Sequence, residues 1–128
     1  MKYKLSNLAG VMGALLSFGT LEAADNILTP EDTFNLERTI SPIISPDGSK
    51  IVYTRGFYDI MTDRGKTNLW TINSDGTNHR PLTSGTNSNS QAHWSPDGSK
   101  LVYVSNVEGK SQIFMRWMDN GQTASITK

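Results

Sequence analysis

The chain contains 128 residues, and its 12 Lys and Arg residues balance its 12 Asp and Glu residues, so the formal net charge is zero. This balance disfavours a strongly basic nucleic-acid-binding protein, and the absence of cysteine excludes a disulfide framework, a thiolate zinc site, an iron–sulfur cluster and a cysteine nucleophile. The length allows one ordinary domain at most, and 36% hydrophobic residues with 11 glycines indicate a turn-rich globular chain.

The first 24 residues show the three-part pattern of a secretory signal peptide. A short basic start (MKYK) precedes an apolar run at residues 8–18, and small residues end it at Ala23 and Ala24. The apolar run is about half the ~20 residues that a membrane-spanning helix needs, which disfavours a membrane anchor. We therefore expect a secreted or periplasmic protein, cleaved near Ala23 or Ala24 and not associated with a membrane afterwards.

The next segment, residues 25–38, predicts a helical lead-in to the rest of the chain. Thr29 is a suitable N-cap, Pro30 fits the first helical position, and Asp32 stands where the acidic residue of a capping box belongs. We expect a short helix from Pro30 to the end of this segment, with Phe34 packed against the structure that follows.

The remainder of the chain contains two copies of one repeat. Residues 44–53 (ISPDGSKIVY) return as residues 94–103 (WSPDGSKLVY), which is an offset of 50 positions. Two further matches have an offset of 44 positions, namely Leu69-Trp70 with Ile113-Phe114 and Leu82-Thr83 with Ile126-Thr127. The difference arises from a longer connection at residues 56–67 of the first copy. Repeats of about 40–50 residues with several short strands are typical of propeller blades.

Each copy predicts four β-strands. In Ser-Pro-Asp-Gly, the proline presets φ and the glycine accepts a positive φ, so this motif is expected to form the turn between the first two strands. Residues 50–55 and 100–105 are β-rich and largely apolar and predict the second strand. The third and fourth strands are expected at residues 68–73, 80–83, 112–118 and 124–127. The predicted fold is all-β, a partial β-propeller of about two four-stranded blades at residues 39–86 and 87–128.

The helix and the repeats together resemble the start of a known protein family. The segments LTPED at residues 28–32, ISPDGSK at 44–50 and WSPDG at 94–98 are similar to secreted serine peptidases of the prolyl oligopeptidase family, especially its acylaminoacyl-peptidase and dipeptidyl-peptidase V-like branch. The resemblance covers nearly all of the chain after the signal peptide. It implies an N-terminal propeller over a C-terminal α/β-hydrolase domain that carries a Ser, Asp, His triad.

The resemblance implies a role in peptide hydrolysis that is performed elsewhere in a longer protein. The implied partners are peptide substrates and the α/β-hydrolase domain of the same full-length chain, to which the propeller limits access. The Ser-Pro-Asp-Gly repeats alone are shared with TolB-type propellers, so a non-enzymatic periplasmic propeller that binds partner proteins is the alternative. Propellers typically have about 4–8 blades. We therefore expect this chain to be a piece of a larger protein and to be inactive alone.

The short polar motifs of the chain predict no catalytic, cofactor-binding or metal-binding residue. Gly109-Lys110-Ser111 lacks the second glycine of a nucleophile elbow and the upstream glycine of a phosphate-binding loop, so a plain turn is expected. Residues 73–76 (NSDG) lack suitable residues at the first and twelfth ligand positions of a calcium loop. His79 and His93 are expected at the surface or at a blade edge.

The three tryptophans predict packing more than a ligand-stacking surface. Trp70 and Trp94 occupy apolar repeat positions, where the other copy has Phe114 and Ile44 respectively, which favours packing between sheets. Trp117 aligns with polar Asn73 and is expected to be more exposed. The longer connection at residues 56–67 is expected to be a solvated loop at a blade end, where functional residues are often found.

Overall fold

The computed structural model describes residues 28–128, and the predicted signal peptide lies outside them. This range forms one short helix and eight strands: α1 (Pro30–Asn35), β1 (Arg38–Ile44), β2 (Lys50–Asp59), β3 (Arg64–Asn73), β4 (Arg80–Pro81), β5 (Asn89–Trp94), β6 (Lys100–Ser105), β7 (Gln112–Trp117) and β8 (Thr123–Ser125). The strands form two four-stranded antiparallel sheets, sheet A (β1–β4) and sheet B (β5–β8), each in chain order. No helix within residues 28–128 is long and apolar enough to cross a membrane.

The helix α1 begins with the predicted capping box. The hydroxyl of Thr29 accepts a hydrogen bond from the backbone N–H of Asp32 at 3.3 Å, and the Asp32 carboxylate accepts one from the backbone N–H of Thr29 at 2.8 Å. The ring of Phe34 lies 5.4 Å from the ring of Tyr58 on β2. The predicted packing of the helix against the first blade is therefore confirmed.

Two element boundaries differ from the sequence-based expectation. The helix ends at Asn35 and not near residue 38, because Arg38 already pairs with Gly56 in sheet A. The predicted loop at residues 56–67 was wrong for most of its length. Strands β2 and β3 remain paired as far as Asp59 and Arg64, which leaves only residues 60–63 as a turn. The additional residues of the first copy therefore lengthen one hairpin beyond the rest of the sheet.

The two Ser-Pro-Asp-Gly segments form the predicted turns between the first and second strands. Gly48 and Gly98 have φ values of +73° and +70°, which glycine adopts without steric cost. The N–H of Gly48 donates to the carbonyl of Ser45 at 2.8 Å, and the N–H of Gly98 donates to the carbonyl of Ser95 at 2.9 Å. The same local chemistry therefore closes the same turn in both sheets.

One hydrophobic core lies between the two sheets. Leu69 of sheet A and Leu101 of sheet B are fully buried at its centre. The other core residues are Val52, Leu82, Ala92, Tyr103 and Phe114, with Ile43, Trp94 and Met118 packed against them. The sheets are thus stacked face to face, as adjacent blades are, and the predicted packing of Trp94 is confirmed.

A buried polar contact joins the sheets beside this core. The side-chain amide of Asn89 on β5 donates to Oδ1 of Asn68 on β3 at 3.1 Å, and both residues are buried. The Asn68 amide in turn donates to the carbonyl of Gly85 at 3.2 Å, and the hydroxyl of Thr83 donates to its Oδ1 at 3.3 Å. Asn68 therefore links β3 to the connection that leads into sheet B and to the first strand of that sheet.

Candidate functional site

The end of sheet A next to α1 carries an open cavity of about 560 Å³. Its walls come from the segment between α1 and β1, from the end of β2 and from the start of β3. The lining residues are Leu36, Glu37, Arg38, Gly56, Phe57, Tyr58 and Gly65. We call this space the tip cavity, because the lengthened β2–β3 hairpin forms one side of it.

Two glycines make room for the tip cavity. The strand register places Arg38 opposite Gly56 and Tyr58 opposite Gly65, so all four positions share one face of the sheet. A Cβ atom at residue 56 would lie 3.1 Å from Cγ and Nε of Arg38, which shows how closely this side chain crosses the glycine. A Cβ atom at Gly65 would have no neighbouring atom within 4 Å. The side chain of Arg38 therefore lies along the floor, and the wall at Gly65 is open.

The ring of Tyr58 is held in place from two sides. Its hydroxyl donates to Oδ1 of Asp63 at 2.8 Å, and this hydrogen bond raises the pKa of Tyr58. On the other side, the Phe34 ring of α1 packs against it at a centroid distance of 5.4 Å. The aromatic wall of the tip cavity is therefore preformed.

Of the two charged side chains that line the tip cavity, one has a partner of opposite charge and the other has none within residues 28–128. The guanidinium of Arg55 binds the carboxylate of Glu37 and also lies over the ring of Trp70, with 4.3 Å from Cζ to the ring centroid. Between residues 28 and 128 this is the only ion pair. Glu37 is thus neutralised by Arg55, whereas the part of the chain that the structure describes offers no carboxylate to Arg38.

An aromatic cluster continues from Arg55 along the outer face of sheet A. The ring of His79 lies 5.0 Å from that of Trp70, and its Nε2 is 2.5 Å from the hydroxyl of Tyr53. His79 is exposed, as expected. Because Leu69 points into the core, its neighbour Trp70 points away from sheet B. The prediction that Trp70 packs between the two sheets was therefore wrong, and Trp70 instead packs against Arg55 and His79.

The remaining sequence candidates lie in turns or at the surface. Residues 109–111 belong to the β6–β7 turn, in which the N–H of Gly109 donates to the carbonyl of Asn106 at 2.9 Å, so the expected plain turn is confirmed. The carboxylate of Asp75 accepts from the hydroxyl and the backbone N–H of Thr77, and these bonds lower the pKa of Asp75. No group of three or more His, Asp or Glu residues in the described range is placed to hold a metal.

The structure also describes the two remaining surface candidates. His93 is exposed on β5, as expected. Trp117 at the end of β7 is half-buried like Trp70 and Trp94, so the expectation that it is the more exposed tryptophan is not confirmed. Sequence reasoning did not single out Arg38 or Gly65. The alternation of side chains along the strands of the lengthened hairpin places these residues on one face of the sheet. This prediction requires the strand register, which the sequence pattern alone does not define.

Comparisons with known proteins agree with this architecture. The family model for the TolB beta propeller domain matches residues 33–128. Dipeptidyl-peptidase 5 of Porphyromonas gingivalis is 37% identical over 87 residues, which cover 67% of this chain and 13% of that protein. Dipeptidyl-peptidase 5 of Porphyromonas endodontalis is 29% identical over 103 residues, which cover 80% of this chain and 15% of that protein. The chain therefore spans only about a seventh of the length of these relatives.

A solved structure has the same fold at low sequence identity. The acylaminoacyl peptidase of Pyrococcus horikoshii superposes with a TM-score of 0.61 at 12% identity, over 73% of this chain and 14% of that chain. Two stacked four-stranded meander sheets with repeated turns define a β-propeller protein, of which this chain contains two consecutive blades. The chain belongs to the TolB beta propeller domain family.

Proposed function

We propose that this chain is the N-terminal propeller portion of an exported serine peptidase and that it limits the access of peptides to a C-terminal α/β-hydrolase domain. The observation that carries this proposal is the 37% identity to dipeptidyl-peptidase 5 of P. gingivalis, a protein of which this chain spans 13%. The capped helix that leads directly into the first blade supports it further, because the peptidase resemblance includes this segment (LTPED, residues 28–32), whereas the Ser-Pro-Asp-Gly repeats alone are shared with TolB-type propellers.

The two outer sheet faces support a propeller with further blades. Residues at equivalent repeat positions have opposite exposure in the two sheets. Leu69 is fully buried and its equivalent Ile113 is 42% exposed, while Tyr103 is buried and its equivalent Tyr53 lies in the exposed aromatic cluster. Each blade thus has one face that suits a preceding blade and one that suits a following blade. This arrangement is what a repeat stacked on both sides requires.

The proposed catalytic role is tested on the full-length gene product with a serine-directed fluorophosphonate probe. We expect covalent labelling of the folded full-length protein and no labelling of the 128-residue chain, which serves as the matched control. Prior heat denaturation of the full-length protein should abolish labelling. A folded full-length protein that does not react with the probe would contradict the proposal.

The proposed export and gating are tested separately. The mature protein isolated from the periplasm or the medium should begin directly after Ala23 or Ala24. The full-length protein should cleave a short peptide and leave the same sequence intact inside a folded domain. An unprocessed N-terminus in the exported fraction would contradict export, and equal cleavage of both substrates would contradict gating.

A non-enzymatic propeller that binds partner proteins is the second candidate function. The match of residues 33–128 to the TolB beta propeller domain supports it, because the Ser-Pro-Asp-Gly repeats are shared with TolB-type propellers. Under this alternative the full-length protein consists of blades alone and does not react with the fluorophosphonate. The labelling experiment therefore separates the two functions.

A further inference from the structure

We propose that the tip cavity binds the C-terminal residue of a peptide, with Arg38 donating hydrogen bonds to the terminal carboxylate and the cavity receiving the apolar side chain. This inference rests on the proposed function, because a peptide is the ligand class that the propeller of a peptidase encounters. It adds a binding site and a ligand chemistry to that function.

The charge distribution selects an anionic group. Glu37 is engaged by Arg55, so the only uncompensated charge of the cavity lining within the described residues is the guanidinium of Arg38. A guanidinium presents parallel N–H groups whose spacing matches the two oxygens of a carboxylate. The side chain of Arg38 lies across Gly56, where the absence of a Cβ atom leaves room for it.

The shape and lining select an apolar group next to that anion. The volume of about 560 Å³ is within the range of small-ligand pockets. Leu36 and Tyr58 provide apolar and aromatic surface. Because Phe34 and Asp63 already fix the Tyr58 ring, binding does not need to order it, which lowers the entropic cost.

A sheet edge beside the cavity suits the peptide that precedes the terminal residue. Within residues 28–128, strand β1 (Arg38–Ile44) pairs only with β2, so its other edge presents unpaired backbone groups over residues 38–40, before the irregularity at Ser41 and Pro42. An extended peptide can add to such an edge through main-chain hydrogen bonds. Inorganic phosphate has neither an apolar side chain nor a peptide backbone, so the same surface gives it no further contacts.

The charge requirement is tested by titrating the 128-residue chain with acetyl-Gly-Phe as the free acid and as the C-terminal amide, and following the amide resonances of Gly56 and Gly65 by NMR. We expect the free acid to bind at least about tenfold more tightly than the amide, because charge-assisted hydrogen bonds are lost in the amide. Arg38→Gln should remove this preference. Arg64→Gln, which changes an exposed arginine of the same hairpin outside the cavity lining, should keep it.

The cavity itself is tested with Gly65→Leu. A Cβ atom at this position meets no neighbour and the residue has no positive φ, so the leucine fills the tip cavity without backbone strain. We expect both ligands to lose binding while the NMR spectrum of sheet B is unchanged, which confirms folding. Equal affinity for acid and amide, an unchanged preference in Arg38→Gln, or full binding in Gly65→Leu would each overturn the inference.

The binding site and the proposed function can fail separately. Fluorophosphonate labelling of the full-length protein without binding of the free acid would reject this site and keep the proposed function. Binding of the free acid without fluorophosphonate labelling would keep the site and reject the proposed function.

Discussion

The aspartate of each Ser-Pro-Asp-Gly turn is a structural residue. Oδ1 of Asp47 accepts from the hydroxyl of Ser45 at 2.6 Å and from the backbone N–H of Ser49 at 3.0 Å, and its Oδ2 accepts from the Ser49 hydroxyl at 2.8 Å. Asp97 makes the same three bonds in sheet B. The serine hydroxyls and the backbone N–H hold the pKa of both carboxyl groups far below the usual value. The ionised carboxylate therefore organises each turn.

These lowered pKa values predict a loss of stability in acid. An aspartate in the unfolded chain has a pKa of about 3.9. Because the folded-state pKa values of Asp47 and Asp97 are lower, the unfolded chain takes up protons first as the pH falls. The stabilisation by these two groups is complete above about pH 5 and decreases from about pH 4 downwards, through the folded-state pKa values. Thermal unfolding measured across this range should show a falling midpoint.

The double variant Asp47→Asn/Asp97→Asn assigns this acid sensitivity to the two turns. It should unfold at a lower temperature near neutral pH, because each turn loses a charged acceptor, and its midpoint should fall less steeply in acid than that of the native chain. Asp119→Asn, which changes an exposed aspartate of the β7–β8 turn, should leave the slope as it is. An equally steep fall in the double variant would show that other groups cause the acid sensitivity.

At the scale of elements, the sequence predicted the strands and turns better than the hairpin that builds the tip cavity. The capping box, the two turns and strand β6 follow from local residue patterns, which is why they could be predicted. The pairing of residues 56–59 with residues 64–67 depends on contacts across the hairpin. The position of Arg38 over Gly56 depends on a third strand as well. Non-local pairing of this kind is not encoded in turn residues or composition.

The joint between the two sheets depends on the amide of Asn68. Asn68→Ala should lower the free energy of unfolding by about 1–3 kcal/mol, because it leaves the buried amide of Asn89 without this partner. Urea unfolding measures the change. Asn35→Ala, at an exposed position at the end of α1, should change the free energy of unfolding by less than about 0.5 kcal/mol. Equal effects of the two substitutions would mean that the buried amide contact does not stabilise the joint.

At the scale of the whole molecule, the two blades are equivalent in sequence and not in environment. Tyr53 and Tyr103 occupy the same position of the same motif, yet Tyr103 is buried in the core and Tyr53 bonds to exposed His79. Likewise, Trp70 lies on the outer face while its equivalent Phe114 is buried. The repeat predicts which side chains share a face. It does not predict which of the two faces is covered, because that depends on the neighbouring blade.

This asymmetry gives a matched pair of substitutions for the shared core. Leu69→Ala should lower the free energy of unfolding by about 2–5 kcal/mol, because it empties a fully buried site between the sheets. Ile113→Ala, at the equivalent position of sheet B, should cost less than about 1 kcal/mol, because Ile113 is 42% exposed. Urea unfolding measures the change in the free energy of unfolding for each variant. Hydrogen exchange at backbone amides measures the protection of each sheet separately.

The shared core also predicts that Leu69→Ala weakens sheet B as much as sheet A, since Leu69 packs in one cluster with Leu101, Tyr103 and Phe114. If Leu69→Ala prevents folding, Leu69→Val removes one methylene at a cost of about 0.8 kcal/mol and keeps the comparison measurable. Faster exchange confined to sheet A would show that the two blades unfold independently. A loss of protection in both sheets by the same factor would show that they form one cooperative unit.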